Sequence, residues 1–159
     1  MRQLQSTGPG NFDICELCGG DEARTSQLAI RRQLAVGESF DLVCGVDLGD
    51  HATQREVIRY IHDNNVLLVV MAPACRSVGP TSNLNYNINH RGWNESFNTD
   101  LPHLQFCGKV ALVQQHVGRY WFVETSTPTW LWNVIPWDQV VANEQTERVE
   151  IHQCMLWRR

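Results

Sequence analysis

The sequence predicts an α/β fold in which a mostly parallel sheet carries helices on both faces. Short apolar runs alternate along the chain with segments that have the periodicity of amphipathic helices. Residues 67–72 form an unbroken apolar run, which is typical of a strand buried on both faces. Because helical segments separate consecutive strands, the order β-α-β-α-β-α-β predicts parallel strands joined by crossovers.

Each element is recognisable from its apolar pattern and from the residues that end it. Pro73 ends the third strand, because it cannot donate a hydrogen bond to a sheet. Residues 64–65, both Asn, end the preceding helix, and Asp47, Asp50 or Thr53 is expected to cap its start. The predicted elements are a strand at 12–18, a helix at 23–36 ended by Gly37, a strand at 40–47, a helix at 53–64, a strand at 67–72, a helix at 104–117, a strand at 119–124, a short helix-containing segment at 130–142 and a last strand at 149–155.

Residues 79–102 lack a clear period and are rich in Asn, Ser and Gly. A segment of this length without periodicity is typical of a functional or surface loop. The sequence therefore predicts a loop here, and within it residues 83–93 are either a lid over the cleft or an ordered surface loop.

Trp130, Trp132 and Trp137 lie in a segment punctuated by proline. We expect them to close the core over one end of the sheet. The alternative is that they stack on an extruded base or on single-stranded nucleic acid.

Length and composition limit the classes of protein to which the chain can belong. The 159 residues suit one domain with its own core, assigned to 12–159, behind a flexible polar tail at 1–11. No apolar run approaches the roughly 20 residues of a membrane span. The net charge of −4 argues against a stand-alone nucleic-acid binder, which usually has a basic surface. Six cysteines behind a polar N-terminus predict reduced thiols and a nuclear or cytoplasmic location.

Polar or reactive residues lie at the ends of four predicted strands. Glu16 precedes the pair Gly19-Gly20, Asp47 ends the second strand, Cys75 follows the third, and Glu124 ends the fourth. In a parallel sheet these ends meet at one edge, which is where α/β proteins bind ligands. The sequence therefore predicts a site at this edge, with the Cys75 thiol as candidate nucleophile.

The same residues resemble the cytosine-5 DNA methyltransferases, which have a Rossmann-like domain that binds S-adenosylmethionine. Residues 16–20, Glu-Leu-Cys-Gly-Gly, resemble the first cofactor loop, and Val46-Asp47 resembles the acid that closes the second strand. Residues 73–75, Pro-Ala-Cys, resemble the Pro-Cys motif of the nucleophile, and residues 122–124, Phe-Val-Glu, resemble the Glu-Asn-Val motif. Pro-Ala-Cys with residues 83–85 also resembles methyltransferase-like segments of mobile-element polyproteins.

The resemblance implies a role for each of these residues. Cys75 would attack carbon 6 of cytosine and Glu124 would activate the ring at nitrogen 3. The cofactor-binding residues would be Glu16, Gly19, Gly20, Asp47 and Pro73. The target base would have to leave the duplex, so the implied partner is DNA or single-stranded nucleic acid. Arg76 is expected to lower the pKa of the neighbouring thiol.

The chain departs from the family pattern at several points. Ala74 separates Pro73 from Cys75, and Thr125 stands where the family has Asn. One strand–helix unit between Asp47 and Pro73 is missing, and only 35 residues follow Glu124, too few for a target-recognition domain. We therefore expect one of three things: a fragment of a longer protein, a minimal enzyme whose protein partner supplies target recognition, or a catalytically inactive binding or assembly module that keeps the fold.

Other interpretations of the cysteines are open at this point. Cys75 is alternatively a packing residue, and Cys44 and Cys107 are expected to pack in apolar surroundings. The Cys15-x-x-Cys18 spacing is half of many zinc sites. Its second half would come from His152 and Cys154, or from His51.

Overall fold

The computed structural model describes residues 12–151. Its strands are β1 (Ile14–Leu17), β2 (Val36–Phe40), β3 (Leu68–Met71) and β4 (Tyr120–Val123). Its helices are α1 (Arg24–Arg31), α2 (His51–Asp63), α3 (Ser82–Ile88), α4 (His90–His116) and α5 (Trp137–Ala142), with 3₁₀ turns at Leu42–Cys44 and Leu131–Asn133. The strands form one parallel sheet in the order β2-β1-β3-β4, so the predicted α/β class and crossover order are confirmed.

The two faces of the sheet are covered unequally. One face carries Cys15, Leu17, Val69 and Met71 into the main core, which α2, α4 and α5 cover. The other face carries Ile14 and Val70 into a small cluster with Ala29 of α1. A right-handed crossover from β1 to β2 puts its helix on one face, and crossovers that run the other way put theirs on the opposite face.

The second strand lies earlier in the chain than predicted. β2 occupies Val36–Phe40. The residues predicted as the rest of the strand follow it and contain the 3₁₀ turn Leu42–Cys44, whose side chains are exposed, 65% at Leu42. Gly37 is inside β2 and does not end α1. A Cβ on Gly37 would lie 2.4 Å from the Cys15 sulfur, so glycine here lets β2 approach β1. The strand was predicted too late because the apolar residues at 42–46 have the composition of a strand, although they lie outside β2.

The segment predicted as a loop at 79–102 is largely helical. It contains α3 and the first part of α4, which begins at His90 and continues through Pro102. The Asn89 side chain caps α4 by accepting a hydrogen bond from the Gly92 N–H. The Asn residues that suggested a loop instead lie on exposed helix faces, whereas Ser82 is buried.

The remaining predicted elements are nearly as expected. Asp50 caps α2 by accepting from the Thr53 N–H at 2.7 Å, which is one of the three caps considered. The tail at 1–11 and most of the last predicted strand, 152–155, lie outside the described residues, and Val149–Ile151 has no regular structure. Between residues 12 and 151, no helix is long and apolar enough to cross a membrane.

Candidate functional site at the carboxyl edge of the sheet

Cys75 and Glu124 follow neighbouring strands at the same edge of the sheet. Both residues are exposed. β3 and β4 are paired in register from Leu68 to Met71, and the Glu124 N–H continues the pairing by donating to the Met71 carbonyl at 2.9 Å. The predicted juxtaposition of the third and fourth strand ends is therefore confirmed, and Cys75 is not the packing residue of the alternative interpretation.

The loop that carries Cys75 folds as a tight turn against the segment after β4. The Cys75 carbonyl accepts from the N–H groups of Val78 and Gly79, at 3.2 and 2.6 Å. A Cβ on Gly79 would lie 2.6 Å from the Cys75 carbonyl oxygen and 2.7 Å from the Ser126 hydroxyl. Glycine at 79 is thus what allows the two site segments to touch.

Arg76 is committed to a partner other than the Cys75 thiol. Its guanidinium binds the Asp100 carboxylate with distances of 2.6 and 3.0 Å, and Asp100 lies buried on α4. This bidentate pair raises the pKa of Arg76. The expected use of Arg76 to activate the thiol is therefore replaced by a structural role, and Asp100 is a partner that the sequence analysis missed.

Aromatic rings of α3, α4 and the 3₁₀ turn at 131–133 form a cluster beside the Cys75 loop. The Trp93 indole donates to the Ser77 carbonyl at 3.1 Å, and the Trp130 N–H donates to the Val78 carbonyl at 2.7 Å. Trp93 contacts both Tyr86 and Trp130 edge to face. Of the three tryptophans predicted to close the core, Trp137 is fully buried and Trp132 is partly buried, whereas Trp130 is 38% exposed.

Glu16 is buried at the carboxyl end of β1 and caps α1. Its carboxylate accepts from the Ser26 N–H at 2.9 Å and from the Ser26 hydroxyl at 2.8 Å. The N-cap residue of α1, Ala23, provides no side-chain cap, so Glu16 supplies it from β1. A Cβ on Gly19 would lie 2.6 Å from this carboxylate, so Gly19 is small because Glu16 lies beneath it. These contacts are structural, and the cofactor-binding role of Glu16 and Gly19 stays a prediction.

The acid directly after β2 is Asp41, because the strand ends at Phe40. Asp41 accepts from the Gly20 N–H at 3.0 Å and from the Val43 N–H at 2.9 Å, so it joins the first two strand ends. Asp47 lies six residues further, is exposed, and accepts from the Gly49 N–H at 2.8 Å. The expectation that Asp47 closes the second strand is wrong. Asp41 was overlooked because the strand was placed too late.

The residues present fit a nucleoside-type cofactor at the β1–β2 edge. A carboxylate has about four acceptor positions, and Asp41 uses two in its known contacts. Gly20 has a φ of +71°, and among the described residues other than its chain neighbours no heavy atom lies within 4 Å of where its Cβ would be, so the loop is open on that side with respect to residues 12–151. Pro73, also predicted as cofactor-binding, is buried.

The remaining cysteines separate into buried and exposed thiols. Burial raises the pKa of Cys15 to about 12, and a hydrogen bond with Cys18 together with burial raises that of Cys107. Cys107 therefore packs as predicted, whereas Cys44 is exposed. No group of three or more His, Cys, Asp or Glu side chains within residues 12–151 is arranged to hold a metal ion. His152 and Cys154, the other half of the zinc alternative, lie outside the described residues.

Comparison of the chain with protein-family models, with curated proteins and with solved structures finds no match.

Proposed function

We propose that this chain is an S-adenosylmethionine-dependent, methyltransferase-like protein of the cytosine-5 DNA type. The observation that supports the proposal is the placement of an exposed thiol, Cys75, after β3 and of an exposed carboxyl group, Glu124, after the adjacent strand β4. Nucleophile and acid at neighbouring strand ends suit attack on a ring that enters the edge of the sheet.

The chemistry assigns a step to each residue. The Cys75 thiolate forms a bond to carbon 6 of cytosine while Glu124 donates a proton or hydrogen bond at nitrogen 3, which loads electron density on carbon 5. S-adenosylmethionine, when bound, supplies the methyl group from its sulfonium. After methylation, a base removes the proton from carbon 5, and the bond between carbon 6 and sulfur breaks, which returns the thiolate.

The proposed cofactor contacts centre on the first two strand ends. Asp41 lies at the position where α/β proteins hold ribose hydroxyls, beside the N–H of Gly20. Asp47 remains the alternative ligand, since its exposed carboxylate lies on the segment that follows β2. Nucleic-acid binding and a protein partner that selects the target belong to the same proposal.

Calorimetric titration with S-adenosylhomocysteine tests the cofactor site. We expect micromolar binding that Asp41→Asn weakens at least as much as Asp47→Asn. Asp63→Asn is the matched control, because Asp63 is an exposed acid at the end of α2. Circular dichroism must show that Asp41→Asn is folded, since Asp41 also holds Gly20. Absence of binding by the folded wild-type chain would contradict the cofactor proposal.

Covalent trapping tests the nucleophile. Single-stranded DNA with 5-fluorocytosine, incubated with the chain and S-adenosylmethionine, should give an adduct that survives denaturation, because fluorine on carbon 5 blocks release of the thiol. Cys75→Ser should abolish the adduct and Glu124→Gln should slow its formation. Cys44→Ser removes the other exposed thiol of residues 12–151 and should leave the adduct unchanged. An adduct mapped to another cysteine would overturn the assignment of Cys75.

A second candidate function is a binding or assembly module without catalysis. The buried Glu16 carboxylate favours it, because this group caps α1 and lies directly beneath the first loop. Failure of both the titration and the trapping experiment, with the chain shown to be folded, is the outcome expected for such a module.

A further inference from the structure

In the described part of the chain, no helix lies directly over the half of a sheet face that β3 and β4 form. The β4 side chains there are bare, whereas Val70 of β3 is buried in the cluster with Ala29 of α1. Leu68 and Val70 of β3 and Tyr120 and Phe122 of β4 point to the same face as Ile14 of β1, since each pair is opposite in register. Tyr120 is 53% exposed and Phe122 is 50% exposed. These side chains form the floor of an open groove of about 950 Å³, which one flank of α1 borders through Arg24 and Thr25.

The bare half follows from the strand order. Only the connection from β1 to β2 runs toward the β2 edge, so only α1 lies on this face. The connections from β2 to β3 and from β3 to β4 run the other way, and their helices lie on the opposite face. Right-handed crossovers in this strand order therefore place no helix over β3 and β4 on this face. The cover must come from outside these connections.

The groove has the dimensions of one helix. α1 packs over β1 and β2. Two strand spacings of about 4.8 Å separate that position from the middle of β3 and β4, which gives roughly 9.6 Å. Packed helices lie about 8–10 Å apart, so a second helix fits beside α1. Leu28, 58% exposed and one turn along α1 from Arg24, offers an apolar contact on the facing flank.

The carboxyl end of the groove is acidic. Beside α1, the carboxylates of Glu16, Asp21 and Glu22 and the guanidinium of Arg24 line it. Arg24 pairs with Glu22, so among these four described residues the charges of Glu16 and Asp21 remain and make this end of the groove negative. A second copy of this chain would bring the same acidic residues to the contact, so the charge disfavours self-association through this face.

We propose that this groove binds an amphipathic helix of a partner protein. The apolar stripe of the helix lies on Tyr120 and Phe122, and its Lys or Arg residues meet the acidic end beside Asp21. The inference does not depend on the proposed function, because none of the groove contacts requires methyl transfer or cofactor binding.

The test uses two synthetic helical peptides of about 15 residues, held helical by a side-chain staple. Both peptides carry the same leucine stripe. The lysine peptide has lysines at one end, and the glutamate peptide has glutamates at the same positions. Binding to the full chain is followed by ¹H–¹⁵N NMR. We expect the lysine peptide to shift the signals of Tyr120 and Phe122 and to bind about tenfold more tightly than the glutamate peptide at low salt.

Variants locate the binding. Phe122→Ser should weaken the binding of the lysine peptide about tenfold, whereas Ile88→Ser, which changes a still more exposed apolar residue on α3, should not. Should Phe122→Ser fail to fold, Asp21→Lys replaces it, because Asp21 is an exposed loop residue. This charge reversal should lower the affinity for the lysine peptide and raise the affinity for the glutamate peptide.

Three outcomes would overturn the proposal. The first is that neither peptide shifts the groove signals, or that both variants change the affinity equally. The second is a concentration-dependent dimer in sedimentation experiments that Phe122→Ser abolishes, which would make a second copy the occupant. The third is that the peptide binds only after residues 152–159 are deleted, which would assign the groove to this chain's own end.

Discussion

Arg76 and Asp100 form a bidentate ion pair that joins the loop of Cys75 to α4. The Arg76 guanidinium reaches the Asp100 carboxylate through two nitrogens, at 2.6 and 3.0 Å. The Asp100 side chain is 5% exposed and that of Arg76 is 62% exposed. The pair therefore anchors the candidate nucleophile to the helix that covers the main core.

We expect Arg76→Ala to lower the free energy of unfolding by about 2 kcal/mol. The substitution leaves the buried Asp100 carboxylate without this partner, which costs about 3–5 kcal/mol in a fully buried pair, and solvent around Arg76 reduces that cost. Arg91→Ala is the control, since it breaks the exposed pair with Glu95 and should cost about 0.5 kcal/mol or less. Urea unfolding measures both, and equal losses would contradict the anchoring role.

Glu16→Ala should destabilise α1 selectively. It removes the acceptor for the Ser26 N–H and hydroxyl and leaves an unpaired donor at the helix start, with an expected cost of about 1–2 kcal/mol. Glu16→Gln keeps an acceptor oxygen and should lower the free energy of unfolding by less than Glu16→Ala does. Amide hydrogen exchange should report the opening of α1 before that of α2. Uniform loss of protection in both helices would argue against a capping role.

Gly79→Ala should disturb the contact between the two site segments. The added Cβ would lie 2.6 Å from the Cys75 carbonyl oxygen, and a backbone atom cannot move aside as easily as the end of a side chain. We therefore expect the free energy of unfolding to fall by about 1–3 kcal/mol and trapping at Cys75 to be slower. Ser126→Ala is the control, because its buried hydroxyl has no hydrogen-bond partner among the described residues. Its stability should change by about 0.5 kcal/mol or less. Unaltered unfolding of Gly79→Ala would show that the contact is loose.

The stability of the chain should fall as the pH rises from 9 towards 12. Burial raises the pKa of Cys15 from 9.0 to about 12, so in this window the unfolded state binds fewer protons than the folded state. The stabilisation is complete below pH 9 and is lost as the pH approaches 12, and the full shift corresponds to roughly 4 kcal/mol.

Cys15→Ala isolates this effect. The variant should have a shallower decline of unfolding free energy between pH 9 and 11 than the wild type, whereas Cys44→Ala, at an exposed thiol, should retain the full decline. Cys107 contributes in the same direction, so some slope remains in Cys15→Ala. Parallel curves for Cys15→Ala and the wild type would refute the assignment.

The local pattern of the sequence was enough to predict the sheet and the position of the candidate nucleophile. The apolar run at 67–72 and Pro73 located β3 to within a residue or two, because a strand buried on both faces needs unbroken apolar side chains. Alternation of strands with helices implied parallel pairing, and parallel pairing brings Cys75 and Glu124 to one edge.

Where two patterns compete locally, the sequence did not decide between them. The run at 40–47 has more apolar residues than Val36–Phe40, yet only the latter pairs with β1, because Gly37 permits close approach to Cys15. That choice moved the strand-end acid from Asp47 to Asp41. The helix at 90–116 was missed in its first part because its Asn and Ser residues resemble a loop, although Asn94 and Asn98 lie on its exposed face.

The sequence by itself determined the fold class, the alternation of four parallel strands with helices, and the strand ends that carry Cys75 and Glu124, because periodicity and breaking residues act over a few neighbouring positions. Only the tertiary structure decided that Arg76 pairs with Asp100, that Glu16 caps α1, and that no helix within residues 12–151 covers the exposed side chains of Tyr120 and Phe122 on β4. These features join residues that are distant in sequence, and a side chain's partner depends on which groups the packed elements bring within hydrogen-bond distance.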